Sequence, residues 1–139
     1  FAQAGHRCAH NLNYWQFGDY LGIGAGAHGK LSFPDRIVRQ VRWREPEMYM
    51  AQALAGRAVS NEQSVTAQQL PFEYMLNALR LADGFELARF AERTGQSIAT
   101  IDETLRQAQQ RGLIERDGLR VRPTMRGFDF LSDLQTLFL

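Results

Sequence analysis

Between Pro71 and Leu139 the sequence is cut into short periodic blocks by proline, glycine and an Asp-Gly pair, and this constrains the fold more than anything else in the chain. "PFEYMLNALRLA" follows a proline suited to a first helical turn and puts Phe72, Met75, Leu76 and Leu79 on one stripe. "ELARFAERTG" sets Leu87, Phe90 and Ala91 on one face, with Gly95 as the stop. "TIDETLRQAQQRG" predicts a helix opened by a capping box from Thr100 to Glu103, with Ile101, Leu105 and Ala108 inward and Gly112 at its end. "LIERDGLRVRP" reads as two short strands around Asp117-Gly118, a turn pair that tolerates positive φ. "TMRGFDFLSDLQTLFL" starts on Thr124 as N-cap and aligns Phe128, Leu131 and Leu134 or Gln135. Helix, helix, helix, hairpin, helix is the order of a winged helix. Its expected core is Leu76, Leu79, Phe90, Ile101, Leu105, Leu113, Phe128 and Leu131.

Upstream the texture changes. Residues 1–45 are rich in glycine and aromatics and show almost no helical period. "DYLGIGAG" reads as a short buried strand through Tyr20, Leu21 and Ile23. "KLSFPDRIVRQVRW" turns at Pro34-Asp35 and alternates, which predicts a hairpin-like extended segment. "EPEMYMAQALAGRA" starts a helix at Pro46, with Met50, Ala53 and Leu54 on one face. Residues 57–70 are polar and poorly periodic and mark a boundary. The expected parts are therefore 1–45, a connecting helix and linker over 46–70, and a C-terminal domain over 71–139.

A chain of 139 residues, 45% hydrophobic, has material for one ordinary core. A net charge of +1 provides no global field toward nucleic acid or an anionic membrane. One cysteine rules out an internal disulfide framework and fits a reducing cytoplasm. The opening "FAQAGHRCAH" starts in mid-pattern without Met, as a piece of a longer protein does.

Three motifs in the first 45 residues invite chemistry. Gly24-Ala-Gly-Ala-His-Gly29 matches G-x-G-x-x-G, but a dinucleotide fold needs a helix straight after it, and Pro34 forbids one. Glycines there serve close backbone approach and positive φ instead. His6-x-Cys8-x-His10 would put three ligands on one face of an extended segment, with His28 as the nearest fourth. It reads equally as polar residues where a strand leaves a sheet, or as one axial histidine for haem iron. Arg36, Arg39, Arg42 and Arg44 either meet phosphate or carboxylate groups or form the wet side of an edge strand. A DNA-reading winged helix would need a basic third helix. Asp102 and Glu103 stand at its start, and Arg106, Arg111, Arg120 and Arg122 argue the other way, so a packing module is the preferred reading.

His10-Asn-Leu-Asn-Tyr14-Trp15, followed by Gly18-Asp-Tyr20-Leu-Gly22-Ile-Gly24-Ala-Gly-Ala27-His28-Gly29, resembles the HNxxYW…GDYxGxGxGAHG signature of the HemW-type haem chaperones. These form a HemN-like branch of the radical SAM superfamily, beside the oxygen-independent coproporphyrinogen III oxidases. "PFEYMLNALRLADGF" and "RGLIERDGLRVRPTMRGFDFL" are similar to that family's C-terminal HemN domain.

The resemblance implies an α+β chain: the last strand and exit segment of a radical SAM partial (β/α) barrel, then a winged-helix-like HemN C-terminal domain. It implies a parent holding a [4Fe–4S] cluster on C-x-x-x-C-x-x-C together with S-adenosylmethionine. Cys8 stands alone, so this stretch cannot supply the cluster ligands. It implies haem binding by His10, Asn11, Tyr14 and Trp15, with His10 as the iron ligand and the two rings as porphyrin contacts. Gly24, Ala25, Gly26, Ala27 and His28 become backbone beside a cofactor; guanidinium–carboxylate chemistry, and not the resemblance, makes Arg36 or Arg39 expected partners of propionates. His10 otherwise tethers a strand through Asn11 and Asn13. The implied partners are haem or another porphyrin and haem-accepting proteins, membrane-associated respiratory proteins among them, with no nucleic acid. An orphaned barrel strand is expected to pair with another copy, to swap, or to pack on the winged helix. Two other functions stay in view: a coproporphyrinogen III dehydrogenase acting by radical decarboxylation, and a DNA-binding regulator.

Overall fold

The computed structural model describes residues 9–139. They form a mixed helix and sheet structure in two compact units. One unit is Asp19–Thr66; the other joins the segment up to Gly18 with Ala67–Leu139.

The Asp19–Thr66 unit is a sheet with a helix. Strands β1 (His28–Ser32), β2 (Ile37–Arg42) and β3 (Val59–Val65) are antiparallel in the order β1-β2-β3. The β1–β2 hairpin is the one read around Pro34-Asp35, and its loop closes by the Phe33 N–H donating to the Arg36 carbonyl at 2.7 Å. Helix α2 (Pro46–Leu54) starts on Pro46, whose missing N–H would be unpaired there anyway.

Four expectations fail here. "DYLGI" is not a strand: Tyr20 makes one isolated bridge to Lys30, and Leu21 and Ile23 are exposed. Of the arginine run, Arg39 and Arg42 lie on β2, which is the central strand and not an edge, and Arg36 and Arg44 flank it. The stretch expected to be linker contains β3, because a strand whose side chains are nearly all solvated needs no apolar alternation, only a backbone partner. The apolar face expected on α2 is not buried; Met50 and Leu54 are exposed.

The other unit begins with α1 (Ala9–Trp15), a helix where the sequence suggested extended chain. Position 10 is therefore helical; His6 and Cys8 lie outside the described residues. After the unit resumes come α3 (Leu70–Ala78), β4 (Phe85–Glu86), α4 (Leu87–Thr94), α5 (Ala99–Gln110), β5 (Ile114–Asp117), β6 (Arg120–Pro123), α6 (Met125–Asp129) and α7 (Leu131–Thr136). The sheet order is β4-β6-β5.

The helix boundaries follow local chemistry. Gly95 at φ 70° ends α4, and Gly112 at φ 70° follows α5. Thr124 caps α6, its hydroxyl accepting from the Gly127 N–H at 3.0 Å. The expected Thr100–Glu103 box does not form. α5 starts two residues earlier, at Ala99, Ser97 Oγ accepts from the Ala99 N–H, and the Thr100 hydroxyl donates back to the Ser97 carbonyl. The terminal helix is broken at Phe130 into α6 and α7.

Leu79, Phe90, Ile101, Leu105 and Leu113 are buried as expected, but Leu76, Phe128 and Leu131 are only half-buried. The center belongs instead to Tyr74, which has no exposed surface. Its ring meets Phe17, Phe85 and Phe90 edge-on, with centroids 5.5, 5.4 and 5.2 Å away.

Candidate functional site

The HNLNYW motif occupies α1. The helix is closed by a Schellman arrangement: the Phe17 N–H donates to the Tyr14 carbonyl at 3.0 Å, and the Gly18 N–H to the Asn13 carbonyl at 2.8 Å. The left-handed position is held by Phe17 at φ 60°, although glycine is the usual residue there. Left-handed backbone costs a non-glycine residue about 1–2 kcal/mol. Burial of the Phe17 ring against Tyr74 offsets that cost. Gly18 follows because any Cβ would collide with the Asn13 side chain.

Helix α1 packs on α3, and a side chain from α4 reaches it as well. Arg89 donates from Nη1 to Gln16 Oε1 at 3.4 Å, just past the end of α1. Tyr14 and Trp15 are half-buried. The Tyr74 hydroxyl is fully buried without a hydrogen-bond partner. Burial pushes its pKa up, against the pull of the Arg89 and Arg93 charges.

The glycine-rich segment lies in the other unit. Its glycines have distinct roles. A Cβ on Gly22 would meet the His28 carbonyl at 2.5 Å, so Gly22 lets two backbone stretches touch. Gly24 and Gly26 turn the chain at φ 103° and 69°. The loop is held from inside: the Gly24 N–H donates to Tyr49 Oη at 3.1 Å, the Gly26 N–H to the Trp43 carbonyl at 2.7 Å, and the Ala27 N–H to the Gly24 carbonyl at 3.2 Å. Arg42 Nε donates to the Gly22 carbonyl at 2.9 Å. Ala25 and His28 are exposed. No helix follows Gly29, which starts no crossover but continues β1.

Asp19, inside the same motif, anchors this loop to the hairpin. Its carboxylate accepts from the Ser32 N–H (2.9 Å), the Ser32 hydroxyl (2.7 Å) and Lys30 Nζ (3.2 Å). The Lys30 side chain is 3% exposed, a buried cation paired with a half-open carboxylate. Sequence reasoning passed over Asp19, Lys30, Phe17 and Arg89. Only the Arg89/Arg93 spacing on α4 carried a signal, a pair of cations one turn apart.

Thus His10, Asn11, Tyr14 and Trp15 share α1, while Gly24 to His28, Arg36 and Arg39 belong to the other unit. Arg36 pairs with Asp35 at 3.4 Å and lies over the Phe33 ring. Among the described residues no three of His, Cys, Asp and Glu gather to hold a metal ion. With a single cysteine in the sequence, the donor set does not fit a [4Fe–4S] cluster. The arginines weighed for DNA are largely engaged: Arg106 with Asp102 and Glu103, Arg120 with Glu86, Arg122 with Glu115.

Residues 65–130 match the model of the HemN C-terminal domain. Over its whole length the chain is 39% identical to the heme chaperone HemW of Escherichia coli and 39% identical to that of Haemophilus influenzae, covering 36% of each. It is 33% identical to the heme chaperone HemW of Bacillus subtilis over 91% of this chain and 33% of that protein. The chain thus spans about a third of the length of these relatives. Among solved structures, coproporphyrinogen III oxidase (HemN) from Escherichia coli, a radical SAM enzyme, superposes with a TM-score of 0.58 at 17% identity, over 87% of this chain and 28% of that one. At that identity the likeness is one of fold. No helix among the described residues is long and apolar enough to cross a membrane. Residues 65–130 match the HemN C-terminal domain, and along its whole length the chain is similar to proteins named heme chaperone HemW.

Proposed function

We propose that this chain is the haem-handling part of a haem chaperone, and that the contact with haem is made from α1. In this reading haem is cargo. His10 supplies a neutral imidazole to the iron, Tyr14 and Trp15 supply ring faces to the porphyrin, and Asn11 completes the motif. Gly24 to His28 take a secondary part as backbone beside a cofactor in the intact protein. The cluster and S-adenosylmethionine belong to sequence outside this chain. The helix, strand, helix, helix, hairpin order from α3 to β6 supports a winged-helix reading of the C-terminal domain, used here for packing against protein. Delivery then passes haem to an acceptor protein.

The observation that carries this reading is that the whole HNLNYW motif lies on one helix, capped at its end and packed on α3. The similarity to proteins named heme chaperone HemW supports it along the whole chain. The dehydrogenase alternative is supported only by a fold likeness. The test is a haem titration of the intact protein, followed by its Soret band, with and without His10→Ala. A shifted band and weakened binding in a variant with an unchanged melting curve are expected. An unchanged spectrum and affinity would remove His10 from the site.

A further inference from the structure

The sequence pointed to Arg36 or Arg39 as partners for the carboxylates of a porphyrin. The structure places both in the unit that does not contain α1. The cation that touches the end of α1 is Arg89, on the first turns of α4. Its hydrogen bond to Gln16 is long, at 3.4 Å, and made to a neutral amide. Among the described residues no carboxylate lies within ion-pair distance of it. Arg93 follows one helical turn later and is exposed. Glu92, the acidic residue of the same helix, also faces the Tyr74 neighbourhood, so the local charge is net positive but not uniformly so.

This leaves a half-buried guanidinium with a planar donor fork, pre-positioned by a weak amide contact and without an anion. Such a group matches a carboxylate in shape and charge. Gln16 follows Trp15 directly, so this guanidinium stands at the C-terminal end of the motif helix.

We infer that Arg89 receives a propionate of the porphyrin handled at α1, and so selects a cargo with a free anionic edge. The inference rests on the haem reading above and adds the group that orients the cargo. Phe17 is what makes it possible, because its burial against Tyr74 fixes the end of α1 beside α4.

The test compares haem with haem dimethyl ester, whose propionates are methylated, on the intact protein. Both ligands are titrated against wild type, Arg89→Ala, Arg89→Lys and His10→Ala, and each variant is checked by its melting curve. Wild type is expected to prefer haem over the ester by roughly three- to tenfold, the range of a partly exposed charge-assisted bond. Arg89→Ala is expected to weaken haem by that factor, leave the ester unchanged and so erase the preference. Arg89→Lys retains part of it. If Arg89→Ala keeps the wild-type preference, or weakens both ligands equally, the inference fails while the His10 reading stands. If wild type does not bind haem, or His10→Ala leaves the Soret band untouched, the haem reading fails and takes this one with it.

Discussion

Phe17 and Tyr74 meet edge to face, their ring centroids 5.5 Å apart, and through this contact the motif helix α1 is fastened to the C-terminal domain. Phe17 pays for its left-handed backbone with this burial. Truncating the ring in Phe17→Ala is expected to cost about 3–5 kcal/mol, as buried phenylalanines do. Phe17→Gly loses the same ring but relieves the positive φ, so it should be no worse than alanine, reversing the usual order in helices. Denaturant melts of the two variants decide it; a glycine variant clearly less stable than the alanine one contradicts this account.

Tyr74→Phe is expected to stabilise the protein. The hydroxyl is buried without a partner, and its removal recovers about 1 kcal/mol or more of desolvation. A lower melting temperature for Tyr74→Phe would show that the hydroxyl is satisfied in solution.

Asp19→Asn should destabilise the Asp19–Thr66 unit. The variant keeps a side chain of the same shape but leaves the Lys30 ammonium facing a neutral amide. The expected loss is about 1–3 kcal/mol, below that of a fully buried pair because Asp19 is half open. The pH dependence has a defined sign. Burial raises the Asp19 pKa, but the Ser32 amide and hydroxyl and the Lys30 charge outweigh it and hold the carboxyl below its ordinary 3.8. The contribution is complete above pH 3.8 and fades as the pH falls through the lowered folded-state value. Melting curves of wild type and Asp19→Asn should therefore converge in acid.

Two glycines separate steric from conformational need. Gly127 sits where a Cβ would strike the Leu113 carbonyl, at the junction that seats α6 on the end of α5. Gly127→Ala is expected to cost about 2–3 kcal/mol, as overpacking does. Gly95 has open space around it and needs only its φ of 70°. Gly95→Ala should cost about 1–2 kcal/mol. Equal losses in chemical melts would argue against this distinction.

The helical domain was legible where the periodicity was long or a stop residue was explicit. Gly95, Gly112 and Thr124 lie where the sequence put them, and the hairpin forms as expected but with its turn one residue later, at Gly118-Leu119, because Asp117 pairs with Arg120 inside the ladder. The capping box was not, because Thr100 has a competing acceptor in Ser97. Tyr74 was missed because a tyrosine between a glutamate and a methionine reads as a boundary residue, and only three distant phenylalanines make it a center. β3 was missed because it is polar throughout its interior and gains its partners from β2.

For the candidate site, the motif's residues were legible and their conformation was not. Asparagine, tyrosine and tryptophan are poor helix formers, and α1 is short enough that its stability comes from the Phe17 anchor and not from its own sequence. The Arg89/Arg93 spacing marks a pair of cations but not their neighbour, since the relation of Arg89 to Gln16 exists only after the chain has left for β1 to β3 and come back.

That departure and return has its own consequence. The body containing α1 is stitched from two pieces of chain that are remote in sequence, with Asp19–Thr66 inserted between them in the sequence. A boundary drawn as one continuous stretch, such as 65–130, leaves the motif helix on the wrong side of the cut. A protein trimmed to that stretch would lose the ring that covers Tyr74 and open its aromatic center to water.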